Sequence, residues 1–301
     1  MSQSSTHAIP YLGSGLGFRR RIKSDILAHR GAIDFIEVTT EHFMTPRQLD
    51  ELAALRVLLP CVPHGLQLSV GSTAPPTTEY LRCIKRVLEV TGAPYYSDHL
   101  AVTSAPGIDL GHLSPVALTR KSLESVVRNI STVQDHTGKL LIVENITYFF
   151  DIPGGELSQT DLLNEVVERT GCGLLLDATN LYTNATNHGY DPIHFLEQIP
   201  LDRVIQVHMA GGVRADGLLF DSHSHAVEEG SWDVLRALAL RTDIKGVIIE
   251  RDDNYPPIEE LLLEVTQARD ILETARKQRE AASRLESPRP KLPRDAMEGV
   301  P

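Results

Sequence analysis

Short apolar runs that end in a metal-binding type of side chain recur along the chain, and this repetition constrains the fold more than any other feature. In Leu140–Asn145 (LLIVEN), four apolar residues are followed by Glu144, where the run should leave the interior. A run this short, with helical patterns on both sides, is typical of a strand buried on both faces of a parallel sheet. Burial disfavours a carboxylate at such a point unless a cation compensates its charge.

Five further runs repeat this design: CVPH, YYSDH, GLLLD, VIQVH and GVIIE. Together with LLIVEN, the six runs offer His64, His99, Glu144, Asp177, His208 and Glu250 at their ends. Two earlier runs, Leu12–Gly15 and Ile33–Val38, bring the number of predicted strands to eight. Eight strands in alternation with helices predict an α/β fold, the (β/α)8 TIM barrel, whose chemistry takes place at the carboxyl ends of the strands. Polar residues that only cap strands would explain one or two of these ends, whereas six favour a metal site.

Length and charge limit the class of protein. The 301 residues, 42% of them hydrophobic, suffice for one barrel of about 250 residues. We therefore predict a single TIM-barrel metalloenzyme domain over residues 1–280 and a disordered Pro-rich tail over residues 281–301. The net charge of −11 opposes nucleic-acid binding. No secretory signal pattern is found, and no run approaches the roughly 20 apolar residues of a membrane span, so we expect a cytoplasmic protein without a membrane partner.

Helical patterns fill the intervals between the runs. They cover Arg19–Arg30, Pro46–Leu59, Thr77–Thr91, Ser114-Pro115 to His136, Ser158–Thr170, and Pro256 to about Glu280. His136, near the carboxyl end of its helix, is interpreted as a surface cap. The glycines of Gly13–Gly17 (GSGLG) do not have the GxGxxG spacing of a dinucleotide site, and they predict a tight turn after the first strand.

Polar residues after Asp177 predict a functional loop. The loop would hold Asn180, Asn184, Asn187 and His188. Amide oxygens and an imidazole suit a hard or borderline metal. We interpret Asn180 and His188 as functional, and Asn184 and Asn187 as turn-forming residues.

The segment Met209–Glu229 is predicted as a long structureless insert. Loops longer than about 12–15 residues in compact domains are usually lids or binding loops. Asp221 and His223 are two residues apart, so on an extended segment they would face the same side, together with His225. Asp252, two residues beyond Glu250, could be a base, a hydrogen-bond acceptor for a metal ligand, or a solvated acid.

Eight longer motifs carry a family resemblance over about Leu12 to Ala268. They are DFIEVTTEHFM, PHGLQLSVGS, SDHLA, VENITYF, TGCGLLLDATNLYTNATNHGYDP, DRVIQVHMAGG, DSHSHAV and IERDDNYPP. Together they resemble the DUF692 (UPF0276) family of multinuclear non-haem iron-dependent oxidative enzymes, which includes methanobactin-type and 3-thiaglutamate-type peptide-modifying enzymes. The chain departs from the common pattern at Gly212, where similar enzymes often have His, and at Arg251, where they often have Trp.

The resemblance implies a TIM barrel that holds two or three iron ions in mixed ferrous and ferric states. The first iron would bind His64, His99 and Glu144; Glu144 would bridge to a second, held by Asp177, His208 and Glu250; a third would bind Asn180, Asp221 and His223. His188 and Asp252 are the residues we assign to catalysis. The implied reaction is the O2-dependent oxidation of a cysteine in a ribosomally made precursor peptide. In similar enzymes a small partner protein often binds the leader of that peptide.

Two other functions use the same residues. A divalent-metal hydrolase or sugar isomerase, as in the endonuclease and xylose-isomerase-like group, would be served equally by His, Glu and Asp at strand ends. The acidic net charge speaks against the endonuclease. A non-enzymatic peptide-binding scaffold is the third alternative, but such a scaffold should have lost some of the six strand-end ligands, and all are present.

Overall fold

Eight parallel strands form a closed barrel at the centre of the protein. The computed structural model describes residues 9–286. The barrel strands are β1 (Gly13–Gly17), β2 (Ile36–Thr39), β3 (Cys61–Gly65), β4 (Tyr95–His99), β7 (Leu140–Glu144), β8 (Gly173–Asp177), β9 (Val204–Met209) and β12 (Gly246–Ile249). Each strand pairs in parallel with its neighbours, and β1 closes the barrel by pairing with both β2 and β12. The predicted TIM barrel is confirmed.

Helices surround the barrel and cover its outer surface. They are α1 (Lys23–Ala28), α2 (Pro46–Leu58), α3 (Thr78–Thr91), α4 (Arg120–Thr137), α5 (Gln159–Thr170), α6 (Ala178–His188), α7 (Pro192–Glu197), α8 (Glu229–Arg241) and α9 (Ile258–Glu286). The helix α3 buries Leu81, Ile84, Val87 and Leu88, the apolar stripe expected of an amphipathic helix against a barrel. At the start of α5, Ser158 and Asp161 form a capping box that satisfies two backbone N–H groups.

The glycine-rich segment at the start of the chain forms β1, which confirms the strand predicted at Leu12–Gly15, but the prediction that its glycines form a tight turn was wrong. A Cβ atom at Gly15 would lie 2.1 Å from the carbonyl oxygen of Phe35. Gly13 has a φ of +90°, a conformation that side chains other than glycine rarely adopt. The glycines therefore let β1 approach its neighbour closely, which a turn prediction from spacing could not detect.

Two antiparallel hairpins extend from the carboxyl ends of the barrel strands. The first, β5 (Ala101–Ala105) with β6 (Ile108–Pro115), follows β4. The prediction that a helix opens at Ser114-Pro115 was therefore wrong, because these residues end β6. The second hairpin, β10 (Val213–Ala215) with β11 (Leu218–Phe220), lies within the insert that we predicted to be structureless.

The last helix is longer than predicted. It continues to Glu286, so the first residues of the segment assigned to the tail are helical. Residues 287–301, the rest of that segment, lie outside the described residues. Among the helices of residues 9–286, none is long and apolar enough to cross a membrane.

Candidate metal centre

Side chains from three adjacent strands meet at the carboxyl end of the barrel. One oxygen of Glu144, Oε2, lies 3.4 Å from Nε2 of His64 and 3.3 Å from Nε2 of His99. The hydroxyl of Ser97 donates to the carbonyl of Pro63, and its oxygen lies 3.0 Å from Nδ1 of His64. Because that hydroxyl has one proton to donate, it accepts the Nδ1–H of His64 and leaves Nε2 of the ring free to face Glu144.

The second oxygen of Glu144 faces another set of side chains. Its Oε1 lies 3.3 Å from Nδ1 of His208, and the same nitrogen lies 3.2 Å from Oε2 of Glu250. Ligand atoms of Glu144, Asp177 and His208 all lie within 4.8 Å of one another. Glu144 thus stands between two groups of potential metal ligands, and its bridging role stays a prediction.

The insert between β9 and α8 adds two side chains to this cluster. Nε2 of His223 lies 2.8 Å from Oδ1 of Asp221, and its Nδ1 lies 3.6 Å from Oε2 of Glu250. Ligand atoms of Asp177, His223 and Glu250 also lie within 4.8 Å of one another. The third predicted ligand set is therefore contiguous with the second.

Several ligand atoms are buried without a hydrogen-bond partner of acceptable geometry. They include Oδ2 of Asp177, Oδ1 of Asn180 and Nδ1 of His208. Buried polar atoms are nearly always paired, and coordination of cations would satisfy the lone pairs left here. The donors are nitrogen and oxygen atoms without thiolate, a set that suits iron or manganese at least as well as zinc. The side chains of this centre therefore fit metal ions.

The charges of the cluster favour the binding of cations. Burial would raise the pKa of Glu144, but His99 and His208 hold that pKa at about 2. Burial, together with the charge of Asp221, raises the pKa of Asp177 well above its usual value. The carboxylates are stable in their charged form only where positive charge compensates for lost hydration. Metal ions would supply that charge.

A cavity of about 330 Å³ opens over these ligands. Leu66, Leu113 and Ile146 contribute apolar surface to it, and His64, Glu144, Asn180, Asp221, His223 and Glu250 contribute polar surface. Its volume lies at the lower end of the range of small-molecule sites, about 300–1,000 Å³. The cavity can hold metal ions and a single side chain or small ligand beside them.

Arg19 is a site residue that the sequence reasoning missed. We predicted it on a helix outside the barrel, yet it follows β1 directly and its side chain lines the cavity. Its Nη2 lies 3.0 Å from Oε1 of Glu250, and its Nε lies 2.5 Å from Oδ1 of Asp252. A strand-end rule that included arginine and the two residues after each strand would have identified it.

Glu37 is a second residue that the sequence reasoning missed. It lies within β2, is 2% exposed, and its Oε1 is 2.9 Å from Nε2 of His208. The amide of Gln206 donates to Oε2 of Glu37, and the hydroxyl of Tyr95 donates to the carbonyl oxygen of Gln206. A carboxylate in the middle of an otherwise apolar strand was the available signal, but we considered only the strand ends.

The structure does not bring His188 to the centre. It lies in the last turn of α6, about 16 Å along that helix from Asp177 at a rise of about 1.5 Å per residue. Its exposed ring stacks on Tyr148 with centroids 4.2 Å apart. The expected loop is a helix, which carries His188 away from the strand end, and the predicted catalytic role is not supported by this position.

Two asparagines that we predicted as turn residues also lie in α6. Asn184 accepts a hydrogen bond from the backbone of Tyr148 and donates to the carbonyl of Ile146. Asn187 makes the same pair of hydrogen bonds with the backbone of Leu219 in β11. They connect the helix to loops around the cavity.

Asp252 is paired on both sides. One oxygen contacts Arg19, and Oδ2 lies 3.2 Å from Nδ1 of His223. Burial would raise the pKa of Asp252, but His223 and Arg19 hold it below its usual value. This arrangement favours a hydrogen-bond acceptor over a free catalytic base.

The segment around His223 is not extended. His223 has a φ of +49°, and this left-handed residue turns the chain. As predicted, Asp221 and His223 meet. His225 does not share their face but is exposed and bonded to Ser224, which confirms the alternative that it is simply exposed.

Comparisons with known proteins identify the family of this chain. The model of a family described as "RiPP precursor modification enzyme MbnB/TglH/ChrH" matches residues 13–273. A UPF0276 protein of Caulobacter vibrioides is 36% identical over 263 residues, which cover 86% of this chain and 94% of that protein. A UPF0276 protein of Neisseria meningitidis serogroup B is 35% identical over 275 residues, or 88% of this chain and 97% of that protein.

Solved structures with low sequence identity share the fold. Endonuclease IV from Thermus thermophilus matches with a TM-score of 0.56 at 17% identity, over 87% of this chain and 99% of that chain. A D-tagatose 3-epimerase-like protein matches with a TM-score of 0.55 at 16% identity, over 90% of this chain and 99% of that chain. At these identities the likeness concerns the barrel alone.

Proposed function

Because the chain belongs to the MbnB/TglH/ChrH family of RiPP precursor modification enzymes, we propose that it oxidises a cysteine residue of a ribosomally synthesised precursor peptide with iron and O2. The observation that carries this proposal is the position of Glu144, whose two oxygens face two separate groups of buried ligands. A shared carboxylate of this kind suits a centre with more than one metal ion. The ligand chemistry is compatible with iron.

The residues divide into connected ligand sets. His64, His99 and Glu144 would hold the first iron, and Glu144, Asp177, His208 and Glu250 the second. Asn180, Asp221 and His223 would contribute to a third. When bound, iron would supply one-electron chemistry with O2 and a coordination position for the cysteine sulfur.

Other side chains of the protein orient these ligands and shape access to them. Ser97 directs His64, and Asp252 with Arg19 holds His223 and Glu250 in place. The apolar rim of the cavity limits the water that reaches the reacting cysteine, which protects a reactive oxidising centre from side reactions.

Exposed aromatic side chains in the loop after β7 suit contact with an extended peptide. The loop after β7 meets the second hairpin where the rings of Phe149 and Phe220 lie 5.2 Å apart. Phe149 and Phe150 are both exposed. We expect residues that flank the substrate cysteine to pack on these rings, with the leader delivered by a small partner protein.

The test is to load the protein with Fe(II) without oxygen, then add O2 and the product of any short Cys-containing reading frame found beside its gene, with and without any adjacent partner protein. The expected result is a mass change confined to the cysteine, absent when that cysteine is replaced by serine. His64→Ala and Asp177→Ala should abolish the change and retain peptide binding. His136→Ala, a matched histidine variant in the last turn of α4, should retain the change.

An opposite result would favour the alternative reaction class. An unmodified peptide, together with isomerisation of a sugar or hydrolysis of a phosphate ester by the metal-loaded protein, would reject cysteine oxidation.

A further inference from the structure

We propose that Glu37 is a positioning residue that holds the proton of His208 on Nε2, so that His208 binds metal through Nδ1. The proposal rests on the metal centre described above but does not depend on iron, O2 or a peptide substrate. It concerns a chain of three buried side chains, Tyr95, Gln206 and Glu37, inside the barrel below the ligands.

The chain of contacts is continuous from Tyr95 to His208. Tyr95, Gln206 and His208 are all fully buried, and Glu37 is nearly so. Gln206 and His208 are two residues apart on β9, so their side chains point to the same side of the strand, the barrel interior. Nε2 of His208 lies 2.9 Å from Oε1 and 3.0 Å from Oε2 of Glu37.

Hydrogen-bond directions along this chain follow from the groups themselves. The hydroxyl of Tyr95 donates to the carbonyl oxygen of Gln206, which directs the amide NH2 of Gln206 to Glu37. The reverse amide orientation would place two acceptor oxygens against each other. A carboxylate only accepts, and both oxygens of Glu37 lie within 3.0 Å of Nε2 of His208, so this nitrogen carries the proton. The amide nitrogen of Gln206, also 3.0 Å from Nε2, therefore does not donate to it.

The opposite nitrogen of His208 faces the metal ligands, and a metal bound there would take the place of any proton on it. Nδ1 lies 3.3 Å from Oε1 of Glu144 and 3.2 Å from Oε2 of Glu250, and it has no hydrogen-bond partner of acceptable geometry. A metal held by those carboxylates would therefore bind His208 through Nδ1, while Nε2 keeps the proton that Glu37 accepts. Histidine ligands commonly donate their other N–H to a carboxylate, which fixes the ring and raises its basicity.

Another arrangement of the same residues is possible and makes different predictions. Ligand atoms of Glu37, His64 and His208 also lie within 4.8 Å of one another, so Glu37 could itself bind metal. Against this, both oxygens of Glu37 already face N–H donors, one from Gln206 and one from His208. A metal at that position would require Nε2 of His208 to lose its proton and its hydrogen bond.

The experiment uses Zn²⁺ alone as the probe, with the full chain and its Glu37→Gln variant. We expect the variant to bind Zn²⁺ at the His208 position about 10–100-fold more weakly, the usual cost of changing a group that supports a histidine ligand, with the number of sites unchanged. Asp34→Asn is the matched control, since it makes the same chemical change just before β2 at a carboxylate that bonds Ser14 and Arg269. Its affinity should equal that of the wild type.

Nitrogen-15 spectra of histidine in the Zn²⁺-loaded wild type test the assignment without any variant. The expected pattern for His208 is metal on Nδ1 and a hydrogen-bonded proton on Nε2, a signature that a purely structural role of Glu37 would not require. Tyr95→Phe should keep this pattern and weaken Zn²⁺ binding less than Glu37→Gln does. Coordination through Nε2, loss of one whole site in Glu37→Gln, or unchanged affinity in that variant would each overturn the proposal. A negative peptide-oxidation assay would reject the proposed function and leave this inference standing.

Discussion

Glu144→Gln tests the shared position of this carboxylate in the metal centre. The substitution removes one negative charge but retains the volume of the side chain and one carbonyl oxygen. In the structure, Oε2 of Glu144 lies 3.3 Å from the nearest nitrogen of His99, and Oε1 lies 3.3 Å from that of His208. Both groups of ligands should therefore lose affinity in a single step.

The magnitude follows from the distances. Two unit charges about 4 Å apart interact by about 4 kcal/mol at an effective dielectric constant of about 20, which corresponds to roughly a thousandfold in affinity. A divalent ion between the ligand atoms would lie closer than this to Glu144. The amide oxygen retained in the variant offsets part of the loss, so we expect about 100-fold weaker binding at each position.

The assay is an anaerobic titration with Fe(II) or Zn²⁺, followed by elemental analysis after desalting. His136→Ala should bind metal as the wild type does, because His136 lies in the last turn of α4, on the outside of the barrel. Wild-type metal content in Glu144→Gln would refute the reasoning. Loss at one position alone would show that the carboxylate serves a single ion.

Three further predictions concern stability and the hairpin. Removal of metal by a chelator should lower the melting temperature in calorimetry, since a ligand at a thousand times its Kd stabilises a protein by about 4 kcal/mol; an unchanged melting temperature would contradict metal binding. Gly15→Ala should lower the free energy of unfolding by about 1–3 kcal/mol in denaturant titrations, because the new Cβ would meet the carbonyl of Phe35. Gly31→Ala is the control: a Cβ there would meet open space, so the free energy of unfolding should not fall. Asn187→Ala removes two hydrogen bonds to the backbone of Leu219, so it should destabilise the attachment of β11 to α6 by about 1–3 kcal/mol. Amide hydrogen exchange in β11 should become faster without loss of metal, and equal exchange rates would contradict this role of Asn187.

The barrel and most of its candidate ligands could be predicted because their signals are local. An apolar run of strand length followed by a helical pattern defines a βα unit within a few tens of residues. Repetition of that unit determines that the carboxyl ends of the strands meet at one rim. His64, Glu144 and His208 could thus be grouped before their distances were known.

Other features depend on contacts between residues far apart in the chain, and local patterns do not encode them. Glu37 becomes part of the centre only because β2 and β9 enclose the same interior, where its carboxylate meets His208. From the sequence, the glycines of β1 were predicted to form a turn. Only the structure shows that the backbone of Phe35 leaves no room for a Cβ atom at Gly15. The polar segment after Asp177 reads as a loop, yet it forms α6 and carries His188 away from the metal centre. Residue order along each strand specifies which side chains can reach the interior, while the closure of the barrel, a long-range packing event, selects the partners that they meet there.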